Sequence, residues 1–250
     1  SLNSKFLIRS EIYNQIYHTE NKKIDSNFHT GTYFRAFPIF SIESETPFKT
    51  NNNKYNFTYK PNMQLVVSPG ISNTNKISNE DSSNNNFSLD NMKSLNRFSG
   101  SDKLDNSKRI NYGIDIYNSY LSLKLSQNYE FTDNSNYHIE QGNDDNLSDL
   151  LGQVNYNNRN KINYNFRYDF NNSYLKQQNI NIETPTSVGE LSLDYLDQKS
   201  KIDNIITSDT ETLNYSFYSK KFLNFSKIKF NGLNDLKKEI NTEYSIGYSY

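Results

Sequence analysis

Ile162-Asn163-Tyr164-Asn165-Phe166-Arg167-Tyr168-Asp169-Phe170 alternates without a break between large apolar side chains and polar or charged ones. Successive side chains of an extended strand point to opposite faces. This stretch therefore has a greasy face (Ile162, Tyr164, Phe166, Tyr168, Phe170) and a wet one (Asn163, Asn165, Arg167, Asp169). Its length is that of one strand crossing a membrane as part of a β-barrel, about 9–11 residues. The pattern recurs at Ile110, Tyr112, Ile114 and Ile116, and at Leu121, Leu123 and Leu125. It returns at Leu213, Tyr215 and Phe217, and at Tyr244, Ile246, Tyr248 and Tyr250.

Composition says which solvents the two faces meet. The 250 residues carry a formal charge of -1, so no global basic field exists to attract nucleic acid. Only 34% of residues are hydrophobic, and the mean hydropathy is -0.89. A soluble domain of this length normally buries a contiguous aliphatic core, which this chain is too polar to build. A barrel needs none, because lipid covers its outer face and water can fill its lumen. Much of the apolar content is aromatic, 20 Tyr and 16 Phe, and Ala36 is the lone alanine, so helix formers are scarce. AT-rich codons account for some of the Asn, Lys, Ile, Tyr and Phe, but base bias does not produce alternation. No apolar run of about 18 residues is present, which excludes a transmembrane helix.

Twelve strands are predicted, at roughly 3–17, 27–47, 54–68, 109–118, 120–132, 150–158, 161–170, 174–184, 190–199, 211–220, 225–232 and 240–250. Compact links at 118–119, 158–160 and 221–224 alternate with longer ones at 133–149 and 200–210. The longest, 69–108, is Ser- and Asn-rich and reads as one large loop. The expected fold is all-β: an antiparallel, up-and-down transmembrane β-barrel segment of about 12 strands, an incomplete barrel forming a single domain over 1–250. Ser1 opens into strand-like sequence without a signal region, and alternation runs to Tyr250, so the chain reads as an interior piece.

Sites of chemistry are not evident. His18, His29 and His138 lie far apart, and none has a second ligand at metal-binding spacing. Asp144, Asp145 and Asp149 lack calcium-loop spacing and read as a solvated face. With no nucleophile elbow, phosphate loop or dinucleotide fingerprint, no catalytic residue, metal or cofactor is expected. The absence of Cys removes disulfides and thiolate sites. One loop motif stands out, Asn96-Arg97-Phe98-Ser99-Gly100-Ser101-Asp102-Lys103-Leu104. Its residues Arg97, Phe98, Ser99, Gly100 and Asp102 suggest a structured turn that folds inward through an Arg97–Asp102 pair.

That motif, followed by Asn111-Tyr112-Gly113-Ile114, resembles the R-x-S-G-x-D-R and N-Y-G-L pair of the LptD family of outer-membrane lipopolysaccharide-assembly proteins. Phe37-Pro38-Ile39-Phe40-Ser41-Ile42, Tyr59-Lys60-Pro61-Asn62-Met63 and Leu151-Gly152-Gln153-Val154 resemble the family's strands in the same order. Ser101 and Lys103 depart from it, where a bulkier residue and Arg are usual. The resemblance implies a non-enzymatic protein of the Gram-negative outer membrane that inserts lipopolysaccharide into the outer leaflet. It implies as partners lipopolysaccharide, outer-membrane lipids, an LptE-like plug lipoprotein and a periplasmic Lpt bridge reached through an N-terminal domain outside this chain. The family's lateral gate and paired cysteines are expected to lie outside it too. Within it, Arg167 and Asp169 are expected to face the lumen. Two other readings stay open on the residues alone: a different porin or transporter barrel, and a soluble secreted β-sandwich serving as an adhesin or glycan-binding module.

Overall fold

The computed structural model describes residues 3–24, 27–50, 56–68, 79, 81–83, 87–132, 142, 146–202, 205–220, 227–238 and 240–249. Among the described residues, thirteen strands follow one another. They are β1 (Lys5–Ile24), β2 (Asn27–Glu45), β3 (Phe48–Lys49), β4 (Thr58–Val67), β5 (Lys108–Tyr117), β6 (Leu121–Glu130) and β7 (Leu150–Asn157). Next come β8 (Lys161–Asp169), β9 (Tyr174–Pro185), β10 (Gly189–Ile202), β11 (Ile205–Ser219), β12 (Lys227–Asp235) and β13 (Ile240–Ser249). They join one antiparallel sheet in the order β1-β2-β4-β5-β6-β7-β8-β9-β10-β11-β12-β13, with β3 pairing β4. This single sheet of nearest neighbours is an all-β, incomplete β-barrel rather than the two packed sheets of a sandwich.

The strands group into two compact units. The first holds residues 1–47, 60–113 and 126–149, and the second 48–59, 114–125 and 150–250. In the second, Ile162 and Tyr164 sit opposite Ile182 and Ile180, while Asn163 and Asn165 sit opposite Asn181 and Asn179. Pairing thus extends the two faces of one strand into two faces of a sheet. The greasy face gains its cohesion from rings. Tyr164 and Phe166 lie 5.6 Å apart, Tyr168 meets Phe170 edge-on at 5.0 Å, and Tyr215 and Phe230 lie 5.9 Å apart. Phe166 covers Gly152 so closely that a Cβ there would stand 2.1 Å from the ring, and Tyr215 covers Gly232 in the same way. An aromatic ring over a neighbouring strand's glycine fills the space a missing side chain leaves in a sheet.

In the first unit Ile8, Ile42 and Leu65 make one row across three strands, and Ile16 sits beside Phe34. All are exposed on the greasy face. Phe37, Ile39 and Val66 break the expected pattern, because they are buried on the opposite, wet face.

Several boundaries differ from the sequence reading. β1 runs on to Ile24 instead of ending near residue 17, and the expected long link at 200–210 is a hairpin. There Lys199 pairs with Asp209, Ser200 with Ser208 and Ile202 with Ile205. The stretch Thr207-Ser208-Asp209-Thr210 is polar at both parities, so periodicity gives no signal. Backbone pairing and the β-preference of Thr still make it a strand. The two-residue β3 was not anticipated. Pro47 has no amide hydrogen, which ends β2's ladder and leaves Phe48 and Lys49 to pair separately with Tyr59 and Thr58.

Candidate functional site

The large loop joins β4 to β5 and packs on the wet face of the first unit. Its described part, chiefly residues 87–107, is seated there rather than projecting away. Leu95 and Leu104 are buried against Phe37, Ile39 and Val66, with Tyr13 packed alongside. Phe87, Met92 and Phe98 are buried as well. Burying one such side chain contributes about 1.5–3 kcal/mol, so this small cluster is an apolar anchor for an otherwise polar loop.

Polar groups hold the loop by its main chain. Asn111 donates to the Met92 carbonyl at 3.0 Å, and Gln64 to that of Lys93 at 3.0 Å. Arg109 donates to the carbonyls of Ser94 and Leu95, at 2.5 and 3.3 Å. On the other side of the motif Arg35 donates to the carbonyls of Ser101 and Asp102, at 2.7 and 2.8 Å, and Gln15 to that of Ser101 at 3.1 Å. Side chains from β1, β2, β4 and β5 thus grip two runs of loop carbonyls, one just before the motif and one within it. The wall side chains are themselves linked, Gln64 donating to Glu43 at 2.6 Å and accepting from Asn111 at 2.5 Å.

Beneath the loop lies a buried charge cluster. Arg97 approaches Asp105 at 2.6 Å and Glu130 at 3.1 Å, and Arg109 approaches Asp105 at 2.9 Å. Ser107 donates to Glu130 at 2.5 Å, and the Lys108 amide donates to it at 2.9 Å. Two guanidinium and two carboxylate groups balance, as charges removed from water require. Asp105 and Arg109 are fully buried. The expected Arg97–Asp102 pair gives way to this arrangement. Asp102 instead accepts from the Tyr17 hydroxyl at 3.2 Å and the Asp81 amide at 3.0 Å. The reason is geometric: Asp105 and Glu130 lie under the loop, where desolvation strengthens an arginine's charge-assisted hydrogen bonds.

The rest of the motif forms a tight turn. Asp81 accepts from the amides of Ser101 and Asp102, at 3.1 and 2.9 Å, and from the Ser101 hydroxyl at 3.2 Å. With the Ser82 hydroxyl also donating, these hydrogen bonds, the Asp102 amide first, hold the Asp81 carboxyl well below the usual aspartate range. Gly100 has φ +78°, and a Cβ there would lie 2.4 Å from the Asp81 carbonyl oxygen, so only glycine fits. Ser99 bridges to Ser83, and Lys103 lies over the Phe98 ring at 5.9 Å.

Arg167 and Asp169 belong to the second unit, both buried, on the wet face of β8. Arg167 stands opposite Leu151 and Gln177. Asp169 lies 4.0 Å from Lys176 and accepts from the Asn172 amide at 2.9 Å. His18 contacts Thr32 at 3.0 Å, and His29 stands opposite Lys22. His138, Asp144 and Asp145 fall outside the described residues, and the Asp149 amide donates to the Gly142 carbonyl.

Residues 1–232 match the family described as LptD, LPS transport system D. The chain belongs to the LptD family. No curated protein matches it at a significant level. LptD proteins serve lipopolysaccharide transport at the Gram-negative outer membrane, and theirs is a transport and assembly family rather than an enzymatic one. Sequence reasoning singled out the LptD-like turn but missed Asp105, Ser107 and Glu130, which complete the charge cluster. A signal for the seated loop was present in Phe37-Pro38-Ile39-Phe40 and Leu65-Val66-Val67, where apolar residues occupy both parities. A wet face carrying Phe, Ile and Val needs a cover.

Proposed function

We propose that this chain is a stretch of the wall of one barrel domain that inserts lipopolysaccharide into the outer leaflet at the cell surface, without chemistry of its own. The observation that carries this reading is the continuity of the two faces. Rows such as Ile8–Ile42–Leu65 and Ile162–Ile182 are apolar across neighbouring strands, and the opposite face is chiefly amides, hydroxyls and charges, with Phe37, Ile39 and Val66 as the apolar exception under the seated loop. A surface that is greasy, exposed and continuous fits lipid tails, and the opposite surface fits a water-filled lumen.

In this reading Arg167 and Asp169 face the lumen, and residues 87–107 of the large loop narrow it by lying over the wet face of the first unit. An LptE-like plug lipoprotein would share that lumen, and lipopolysaccharide would arrive from a periplasmic Lpt bridge through an N-terminal domain. The test is a spin-label scan of positions 162–170 in the full-length protein in lipid. Even positions should be accessible to dissolved oxygen and odd positions to a water-soluble relaxant. Equal accessibility at both parities would overturn the wall assignment.

A further inference from the structure

The apolar band on the greasy face of the second unit is not of even height. On β8 it takes in Ile162, Tyr164, Phe166, Tyr168 and Phe170. On β10 the same face carries Leu191, Leu193 and Tyr195, and on β11 Phe217, Tyr215 and Leu213. The register sets these positions in common rows, Ile162–Ile182–Leu193–Tyr215 and, one step up, Tyr164–Ile180–Tyr195–Leu213. In the next row Phe166 is followed by Gln178, Asp197 and Glu211. Above it Lys199 stands opposite Asp209 on the same face. At the lower end β10 and β11 gain the pair Leu191–Phe217 and then meet Gly189 and Ser219. Val188 shares the parity of Glu190 and so belongs to the other face. On β12 the band Ile228, Phe230 and Gly232 ends at Asn234, beside Leu213.

Strand tilt displaces both borders of such a band in the same direction. Here β10 loses the levels of Phe166, Tyr168 and Phe170 and gains only that of Leu191, so the band itself is shorter. The charges that cut it are joined as a group. Lys199 pairs with Asp197 at 3.3 Å, and Lys237 pairs with Asp209 at 3.1 Å and Glu211 at 3.4 Å. Gln178 donates to Asp197 at 3.0 Å. The Tyr195 hydroxyl donates to Glu211 at 2.9 Å, its ring in the apolar rows and its polar tip in the charged one, as at a membrane–water interface.

We propose, resting on the assignment of the greasy face to lipid, that β10–β12 face a locally thinned bilayer, its headgroups drawn in to the level of Asp197 and Glu211. The apolar run of β8 is nine residues, about 30 Å along the strand and about 23 Å of height at the tilt of barrel strands. That of β10, Leu191 to Tyr195, is five residues, about 17 Å along the strand and about 13 Å of height. A long side chain such as Lys199 can snorkel to a more distant headgroup layer, but Asp197 and Asp209 have a single methylene and cannot. Nor can the sector rise to meet that layer, because the ladders through β9 fix its level against β8. Lipid beside a band too short for it thins locally, which keeps the carboxylates out of hydrocarbon.

The test images the full-length protein, with the partners it carries, by electron cryomicroscopy in nanodiscs of dioleoylphosphatidylcholine. The separation of the two headgroup layers is measured around the perimeter. It should be smaller beside β10–β12 than beside β8 by about 8–10 Å. Replacing the cutting charges together, Asp197→Leu, Lys199→Leu, Asp209→Leu and Glu211→Leu, lengthens the apolar runs to 191–199 and 209–217. In that variant the two separations should agree within about 3 Å, one residue's rise. Even separation in the unsubstituted protein, or a dip that persists in the leucine variant, overturns the thinned sector while leaving the lipid-facing wall intact. Headgroup layers that flank neither β8 nor β10 overturn the lipid assignment itself. If the leucine variant fails to assemble, the unsubstituted protein in dilauroylphosphatidylcholine, whose chains are shorter, carries the test. There the dip should shrink at least ~2-fold, and an unchanged dip overturns the proposal.

Discussion

Asp105 accepts from both buried arginines, so its charge holds two guanidinium groups that lie out of water. Removing one partner of a buried ion pair costs about 3–5 kcal/mol, because the remaining charge stays desolvated. Asp105→Asn should therefore unseat the loop and expose the Ser99–Gly100 bond to protease added outside cells. Asp102→Asn should leave it seated, since Arg35 and Gln15 hold the backbone around residue 102 and the substitution weakens hydrogen bonds to the carboxylate without removing a partner of the buried arginines. Equal protection in the two variants would show that the charge cluster does not hold the loop. Asp81 sets the response to acid. Its depressed pKa means that its contribution is complete above the ordinary aspartate value of about 4 and drains away as pH falls toward the lowered one. A spin label at Ser83 should keep constant mobility from pH 7 to pH 5 and loosen only in stronger acid. Gly152→Ala places a methyl group inside the Phe166 ring, so a lower yield of assembled protein is expected, partly restored by Phe166→Leu.

Among the elements, legibility followed solvent contrast. Ile162–Phe170 was readable because one face is greasy and the other wet, and β8 matches it within a residue. The far ends of β1, β10 and β11 were not, because residues such as Ser208, Asp209 and Thr210 are polar on both faces. Where no contrast exists the ladder of backbone hydrogen bonds is the only reason for a strand, and side-chain periodicity does not record it. The loop's seat was half legible: Arg97 and Gly100 mark a built turn, but Asp105 and Glu130 are ordinary acidic residues until folding brings them under it. A further prediction belongs at this scale. The β10–β11 tip pairs polar residues at Lys199–Asp209 and Ser200–Ser208 and carries Ile205 and Ile206 exposed beyond them, so replacing residues 200–208 by a two-residue Asn-Gly turn should leave the amount of assembled protein nearly unchanged. Loss of assembly would mean that the tip has a partner.

At the scale of the molecule, the order of strands leaves β1 and β13 each with one neighbour among the described residues. An open edge offers unpaired amides and carbonyls, and the edge strands here carry Phe6, Ile8, Ile12 and Ile246 exposed. Residues 1–250 alone should aggregate in buffer. A monodisperse monomer in sizing chromatography without detergent would contradict both the edge and the lipid-facing surface.

The wall's grip on the carbonyls of residues 92–95, 101 and 102 has a consequence for how the loop can change over generations. A carbonyl is the same whatever side chain its residue bears. Ser94 could therefore be exchanged for other residues, under pressure from phage or antibody, while Gln64, Arg109 and Arg35 kept their holds. The loop would then vary in antigenic appearance without losing its footing, and its variation would be bounded by Gly100, Asp105 and the two leucines.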